Sequence, residues 1–282
     1  MLTTVAAGPY TITGISVGGV YTSLLVKELD VILDAGAAPR SFVGGRHLLI
    51  SHAHADHIGA LPSLVGMRGL SRSPAPEVLL PRESHEEVAL AMDALIRAQH
   101  RPVQIPWMPM SPGEEHALSG DLLARAFRTR HTIPSLGYVL FRRVRKLRPE
   151  HRALDGESIR ARRLAGEDLF FTEERLELAY ATDTLIDVLD EHPELLNSRV
   201  LILECTFLDG RRTRQEARDK GHVHLDEILE RVALFRNEAV VLMHFSQAYA
   251  PADVHRILRD RCPGELADRL VAFAPHAGQW PG

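Results

Sequence analysis

Short apolar runs bounded by turn residues alternate with amphipathic stretches along the whole chain. The runs at Val31 to Leu33, His47 to Ser51, Glu77 to Leu80, Gly137 to Phe141, Leu178 to Ala181, Val200 to Leu203 and Ala239 to Met243 predict strands. Val88, Met92, Leu95 and Ile96 recur at helical spacing, as do Leu225, Ile228, Leu229 and Val232. Two more helices are predicted, one beginning near Asp155 and one over Pro251 to Arg261. Pro251 suits a first helical position, where its missing N–H costs nothing. No internal repeat, low-complexity tract or linker interrupts the pattern. Such alternation argues for an α/β domain of layered sheets and helices. On periodicity alone, a doubly wound sheet and a four-layer αββα sandwich both remain open.

Composition changes this picture little. The 282 residues are 45% hydrophobic and 25% charged, which suits a soluble chain able to bury a substantial core. No apolar run is long enough to span a bilayer, and Met1 to Gly19 lacks the basic and apolar blocks of a signal peptide. Cys205 and Cys262 are too few and too far apart for a disulfide framework, so a reducing cytoplasm is expected. A net charge of −4 does not announce a nucleic-acid binder. Locally, however, Arg142, Arg143, Arg145, Lys146 and Arg148 crowd together, followed by Arg160, Arg162 and Arg163, and later by Arg211, Arg212 and Arg214. Groups like these are either solvated faces or phosphate contacts.

The informative chemistry begins at Leu48, where a buried strand leads into Ser51-His52-Ala53-His54-Ala55-Asp56-His57-Ile58-Gly59. On an extended chain residues i and i+2 point the same way, so His52 and His54 can share one cation. The chain then turns, and Asp56 and His57 can face a second. Imidazole and carboxylate donors without a thiolate suit zinc, with manganese or iron also compatible. The donors still missing stand where strands should end: His131 after Leu122 to Thr129, Asp183 after Ala179 to Thr182, and His244 after Val240 to Met243. A carboxylate such as Asp183 can bridge two metals roughly 3.5–4 Å apart.

The order HxHxDH, then His, Asp and His, resembles the metallo-β-lactamase superfamily. The finer resemblance is to its transfer-RNA 3′-endonucleases, the short form of ribonuclease Z. It is carried by Gly14 to Gly19, Ile32-Leu33-Asp34-Ala35-Gly36, Ser51 to Gly59, Arg68-Gly69-Leu70 and Gly137-Tyr138. Farther on it is carried by Glu204 to Asp209, Gly221-His222-Val223-His224 and His244-Phe245-Ser246. The resemblance implies the four-layer αββα sandwich as a single domain over 1–282, with a short basic insertion around 142–165.

It also implies roles. His52, His54 and His131 would hold one zinc, and Asp56, His57 and His244 the other, with Asp183 bridging, for two zinc ions per subunit. Water activated by the metals would attack a phosphodiester, with Asp56 positioning it or taking its proton. Glu204 and His222 would form a pair, His222 protonating the departing 3′-oxygen, a task that suits an imidazole titrating near neutrality. Asp34 would buttress the metal loop. His224 would either support His222 or begin the helix that follows. The implied substrate is precursor transfer RNA, cut by a homodimer. Long-armed relatives grip the transfer-RNA elbow with a Gly/Pro-rich arm, which this chain lacks. Lys146 and Arg148 are the candidate phosphate contacts in its place.

Three positions depart from the pattern: Thr182 stands where relatives have Gly, and Gln247 and Ala248 stand where they often have Ala and Arg. The absent arginine is a natural phosphate ligand. Its loss keeps a second reading in view, a hydrolase or phosphodiesterase of the same fold acting on a small molecule. A third, a non-catalytic nucleic-acid-binding descendant, is disfavoured by seven intact ligands.

Overall fold

A computed structural model describes residues 2–100 and 102–281. Met1, Arg101 and Gly282, which the expected 1–282 span includes, lie outside the described residues. The first sheet runs β1 (Thr3–Ala7), β2 (Tyr10–Val17), β3 (Tyr21–Val26), β4 (Val31–Leu33), β5 (His47–Leu49), β6 (Glu77–Pro81), β7 (Trp107–Met110). The second contains β8 (Glu115–Ala117), β9 (Leu122–Arg128), β10 (Leu136–Leu147), β11 (Phe170–Ala181), β12 (Val200–Glu204), β13 (Ala239–Met243) and β14 (Leu270–Ala272), also neighbours in chain order. In each sheet the first four strands pair antiparallel and the last three are added in parallel. The two halves of the chain therefore share one topology.

Period-two alternation decides which layers form. On β12, Val200 and Ile202 join Leu33, Leu49 and Leu79 of the first sheet in a core between the sheets. Leu201 and Leu203 point outward, onto Ile228 of the helix Leu225–Leu229 and Val254, Ile257 and Leu258 of the helix Pro251–Arg261. On β6, Leu79 points inward while Val78 and Leu80 pack on helices Leu61–Leu70 and His85–Ala98 through Leu64, Val65, Val88 and Met92. The order is helix, sheet, sheet, helix: the four-layer αββα sandwich. The parallel strands are buried on both faces, which is why they read as continuous apolar runs in the sequence.

Elsewhere the boundaries differ from the sequence reading. The strand beginning at His47 stops at Leu49, and Ser51 already belongs to the loop. β10 and β11 are much longer than their apolar runs. They stay paired out to Leu147 opposite Phe170, whereas β9 accompanies β10 only to Arg142 and β12 joins β11 only from Leu178. Beyond those points they form a free two-stranded hairpin, whose polar faces give no apolar run to detect. At its end sits the helix Gly156–Leu164, where the Asp155 side chain accepts a bond of 2.8 Å from the Ser158 N–H. Cys205 and Cys262 are free and buried. Among the described residues no helix is long and apolar enough to cross a membrane.

Ile202 is fully buried between the sheets. Replacing it with Ala should cost about 2–5 kcal/mol through lost transfer energy and the cavity left behind. Urea unfolding should show this as a lower midpoint at unchanged slope, and an unmoved midpoint would contradict the packing described.

Candidate metal centre

The parallel strands of both sheets end on one edge, and there the chain must leave each sheet abruptly. Asp34 follows β4, Asp183 lies just beyond β11, and His244 follows β13. All three hold left-handed backbone, with φ of 58°, 44° and 60°. For non-glycine residues this conformation costs about 1–3 kcal/mol each and persists where surrounding contacts over-determine it. Its effect is to swing these side chains over the edge toward the loop from Ser51 to His54. Asp56 and His57 lie in a short helix, Ala55–Ile58, immediately after that loop.

Imidazole orientation is fixed from behind. His57 Nδ1 donates to Asp34 Oδ2 at 2.7 Å. The Ser51 hydroxyl donates to Asp34 Oδ2 at 2.8 Å, so its oxygen accepts from His52 Nδ1 at 2.9 Å. The Thr206 hydroxyl donates to Glu204 Oε2 at 2.6 Å and accepts from His244 Nδ1 at 3.1 Å. His131 Nδ1 faces the Gly221 carbonyl at 3.3 Å. Each of these bonds makes Nδ1 the donor and turns Nε2 toward the cleft, the orientation that metal-binding imidazoles require. His54 is turned the other way, its Nδ1 lying 3.0 Å from His52 Nε2 and 3.1 Å from His131 Nε2.

Asp183 stands between two such groups. Its Oδ2 is 3.6 Å from both His52 Nε2 and His131 Nε2, and its Oδ1 is 3.4 Å from His57 Nε2 and 3.3 Å from His244 Nε2. Asp56 Oδ2 completes the second group, 3.5 Å from His57 Nε2 and 3.7 Å from His244 Nε2. The donor atoms of His52, His54, His131 and Asp183 all lie within 4.8 Å of one another, as do those of Asp56, His57 and His244. The buried Nε2 atoms of His57 and His244 have no hydrogen-bond partner. A converging set of lone pairs and carboxylates with orphaned inward nitrogens fits a pair of cations, and the overlap at Asp183 suits a binuclear site.

The electrostatics follow from the same contacts: burial disfavours charge on His57, but the Asp183 and Asp34 carboxylates outweigh it and raise its pKa well above the usual imidazole range. Burial and the charge of His57 push His52 down to about 2, holding it neutral. Burial opposes ionisation of Asp56 and Asp183, but the surrounding imidazoles outweigh it and hold both carboxyls well below the usual range. His222 behaves in the opposite sense. Burial disfavours its charge, yet the negative charge and hydrogen bond of Glu204 prevail and raise it to about 9. His222 Nδ1 donates to Glu204 Oε1 at 3.0 Å. Glu204 is fully buried and also accepts from the Thr184 N–H at 2.7 Å and the Val223 N–H at 3.3 Å. A donor atom of His222 lies within 4.8 Å of donors on Asp183 and His244, nearer the cluster than a pair standing beyond it.

Gly221 explains the Gly-His motif. It has φ +73°, and a Cβ there would lie 2.9 Å from His131 Nδ1, so no larger residue fits between the two histidines. His224 caps the helix Leu225–Leu229, accepting from the Asp226 N–H at 3.1 Å, and makes no bond to His222. Thr182, the departure beside Asp183, donates to Asp183 Oδ1 at 2.9 Å and so orients that carboxylate. Gln247 and Ala248 are exposed at the rim.

Sequence reasoning overlooked Ser51 and Thr206 as orienting groups, although both lie inside its own motifs. It had no signal for Tyr180, whose hydroxyl donates to Asp34 Oδ2 at 2.6 Å across the two sheets. Lys146 and Arg148 are not brought to the cleft. They lie on the free hairpin at the opposite edge, and the extended chain from Phe171, the partner of Lys146, to Asp183 spans roughly 35–40 Å at about 3.3 Å per residue. There Lys146 pairs with Glu173 at 2.7 Å and Arg148 with Asp168 at 2.5 Å.

Comparison with known proteins places this geometry. Residues 32–245 match the family described as beta-lactamase superfamily domain. A tRNase Z of Arabidopsis thaliana is 34% identical over 266 residues, covering 94% of this chain and 95% of that protein. A chloroplastic tRNase Z of the same plant is 35% identical over 242 residues, covering 85% of this chain and 68% of the relative. The crystal structure of the short form of human tRNase Z superposes with a TM-score of 0.59 at 15% identity, over 94% of this chain and 95% of that one, a likeness of fold.

Asp34 holds the loop from behind through four bonds, to the Ser51 N–H and hydroxyl, His57 and Tyr180. Asp34→Ala should weaken metal affinity about 10–100-fold although it removes none of the inward donors themselves. Competition with a chromophoric chelator reads this directly, and unchanged affinity would remove Asp34 from the account.

Proposed function

Because the chain belongs to the β-lactamase superfamily, in the branch of the tRNase Z proteins, we propose that it is a zinc-dependent endoribonuclease that processes the 3′ end of precursor transfer RNA. His52, His54 and His131, with one oxygen of Asp183, would hold one zinc. Asp56, His57 and His244, with the other oxygen, would hold the second. The donor set of imidazoles and carboxylates favours zinc over softer-ligand alternatives. Two bound cations supply Lewis-acid polarisation of the phosphodiester and activation of the attacking water. A homodimer belongs to the same reading, testable as twice the chain mass in light scattering. Two buried free thiols fit a reducing compartment, and we assign the cytoplasm.

The protein's own residues do the rest. Asp56, partly open to the cleft and ionised, would orient the attacking water or take its proton. Asp183 keeps the two halves of the site in register. The observation that carries the nuclease reading is His222. It is an imidazole whose Nδ1 donates to a buried carboxylate, a contact that favours its charged form, and it stands beside the cluster with that nitrogen engaged away from it. A departing ribose 3′-oxygen needs a proton, whereas a stabilised aryl oxide does not.

That contrast defines the tests. The protein should cut a 3′-extended transfer RNA, and dialysis against a chelator should abolish cleavage until zinc is restored. Hydrolysis of an aryl phosphodiester with no transfer-RNA product would favour the small-molecule reading instead.

His222→Ala should lower kcat on RNA about 10²–10⁴-fold and on the aryl ester far less. Equal losses on both would deny His222 the role of acid. Glu204 raises the His222 pKa, so Glu204→Gln should lower it and leave less imidazolium at neutral pH. The alkaline limb of the RNA pH–rate profile should then move to lower pH, and a limb that stays put would uncouple the pair.

A further inference from the structure

The third basic group in the sequence, Arg211, Arg212 and Arg214, has no part in the metal centre. Two of its members and Lys220 converge on a cavity of about 420 Å³ that opens beside His222 and Thr206. Gly18, Gly19 and Ala248 leave its mouth free of long side chains, and among the described residues no carboxylate lines it.

Its cations are not equivalent. Arg211 is 3.3 Å from Asp253 and 3.6 Å from Asp209, and donates to the Ala248 carbonyl at 3.1 Å. Its guanidinium lies 4.7 Å from the Tyr249 ring centre. Arg212 pairs with Glu216 at 3.4 Å, and Arg214 turns away to Asp226 and Glu230. Lys220 differs from all of these. Among the described residues its side chain has neither an ion pair nor a hydrogen bond, only the Phe207 ring 5.8 Å from its ammonium. Its charge therefore faces the cavity uncompensated, as a compact, rotatable donor suited to a phosphate oxygen. The left-handed turn at Gly221 sets Lys220 on one side and His222 on the other.

We propose that this cavity is the subsite for the ribonucleotide whose 3′-oxygen departs, with Lys220 contacting the phosphate on that nucleotide's 5′ side and Arg211 forming the rim. The assignment rests on the endonuclease reading, since His222 marks the leaving oxygen. It also locates the working cation of the cleft in the 211–220 segment rather than in the basic hairpin. The contact reads a backbone phosphate, so it is indifferent to base sequence.

The test is direct binding of a fluorescein-labelled single-stranded oligoribonucleotide ending in a 3′-hydroxyl, followed by anisotropy at several salt concentrations. Lys220→Gln should weaken binding on the order of five-fold for any sequence. The slope of log K against log salt should shrink by about 0.7, the share of one phosphate contact on a single strand. Lys220→Arg should restore both, and Lys146→Gln should cost less than Lys220→Gln. Wild-type affinity and salt slope in Lys220→Gln would overturn the assignment, as would a loss in Lys146→Gln at least as large. If the wild-type protein fails to cut RNA, the endonuclease reading falls, while the binding comparison still decides the subsite.

Discussion

The structure turns on one buried carboxylate. Asp34 is completely removed from solvent, and a charge placed there is tolerable only if its oxygens are satisfied by protein donors. Those donors come from three residues: Ser51 and His57 in the segment after β5, and Tyr180 in the opposite sheet. One side chain therefore ties the two sheets together and fixes the metal loop against them. Tyr138 adds a parallel link, donating to the Ile50 carbonyl at 2.7 Å. The packing of the sandwich and the geometry of the site are thus one problem. A relative shift of the sheets would leave Asp34 unsatisfied before it disturbed much apolar contact.

From that anchor the rest of the centre follows by hydrogen-bond logic. Four imidazoles are gripped through Nδ1 by an oxygen, so their Nε2 atoms can only point inward. Asp183 then meets two pairs of nitrogens with its two oxygens. Left-handed turns at Asp34, Asp183 and His244 supply the reach, each where a parallel strand stops. Without cations, inward lone pairs and depressed carboxyls would be a costly concentration of unsatisfied groups. With them, the same groups are paired. Glu204 joins this frame to the chemistry, since one oxygen orients His244 through Thr206 and the other holds His222.

Charge is distributed otherwise than its density along the chain suggests. The crowded stretch from Arg142 to Arg148 lies on a hairpin where Glu115, Glu173, Glu174 and Asp168 answer most of the cations. Exposed pairs of this kind contribute little stability, and they leave little net field. A single lysine beside the cleft, inconspicuous in the sequence, keeps its charge. Proximity to Glu partners across a strand ladder, rather than the number of arginines in a row, decides which cation is available.

The sequence by itself determined the candidate donors that the fold brings together, the layered α/β class and the helix over Pro251 to Arg261. Donors lie at strand ends within short motifs, and buried parallel strands must be apolar on both faces, so both leave local signals. Family resemblance then selected the sandwich, which alternation alone could not. Only the tertiary structure decided how far β10 and β11 extend, because a two-stranded ladder in solvent carries no apolar period. It alone brought Tyr180 to Asp34, and it alone set the basic hairpin on the edge away from the candidate metal centre. Those are contacts between residues far apart in the chain, fixed by strand register and by the stacking of one sheet on another. No local pattern of residue types contains that information.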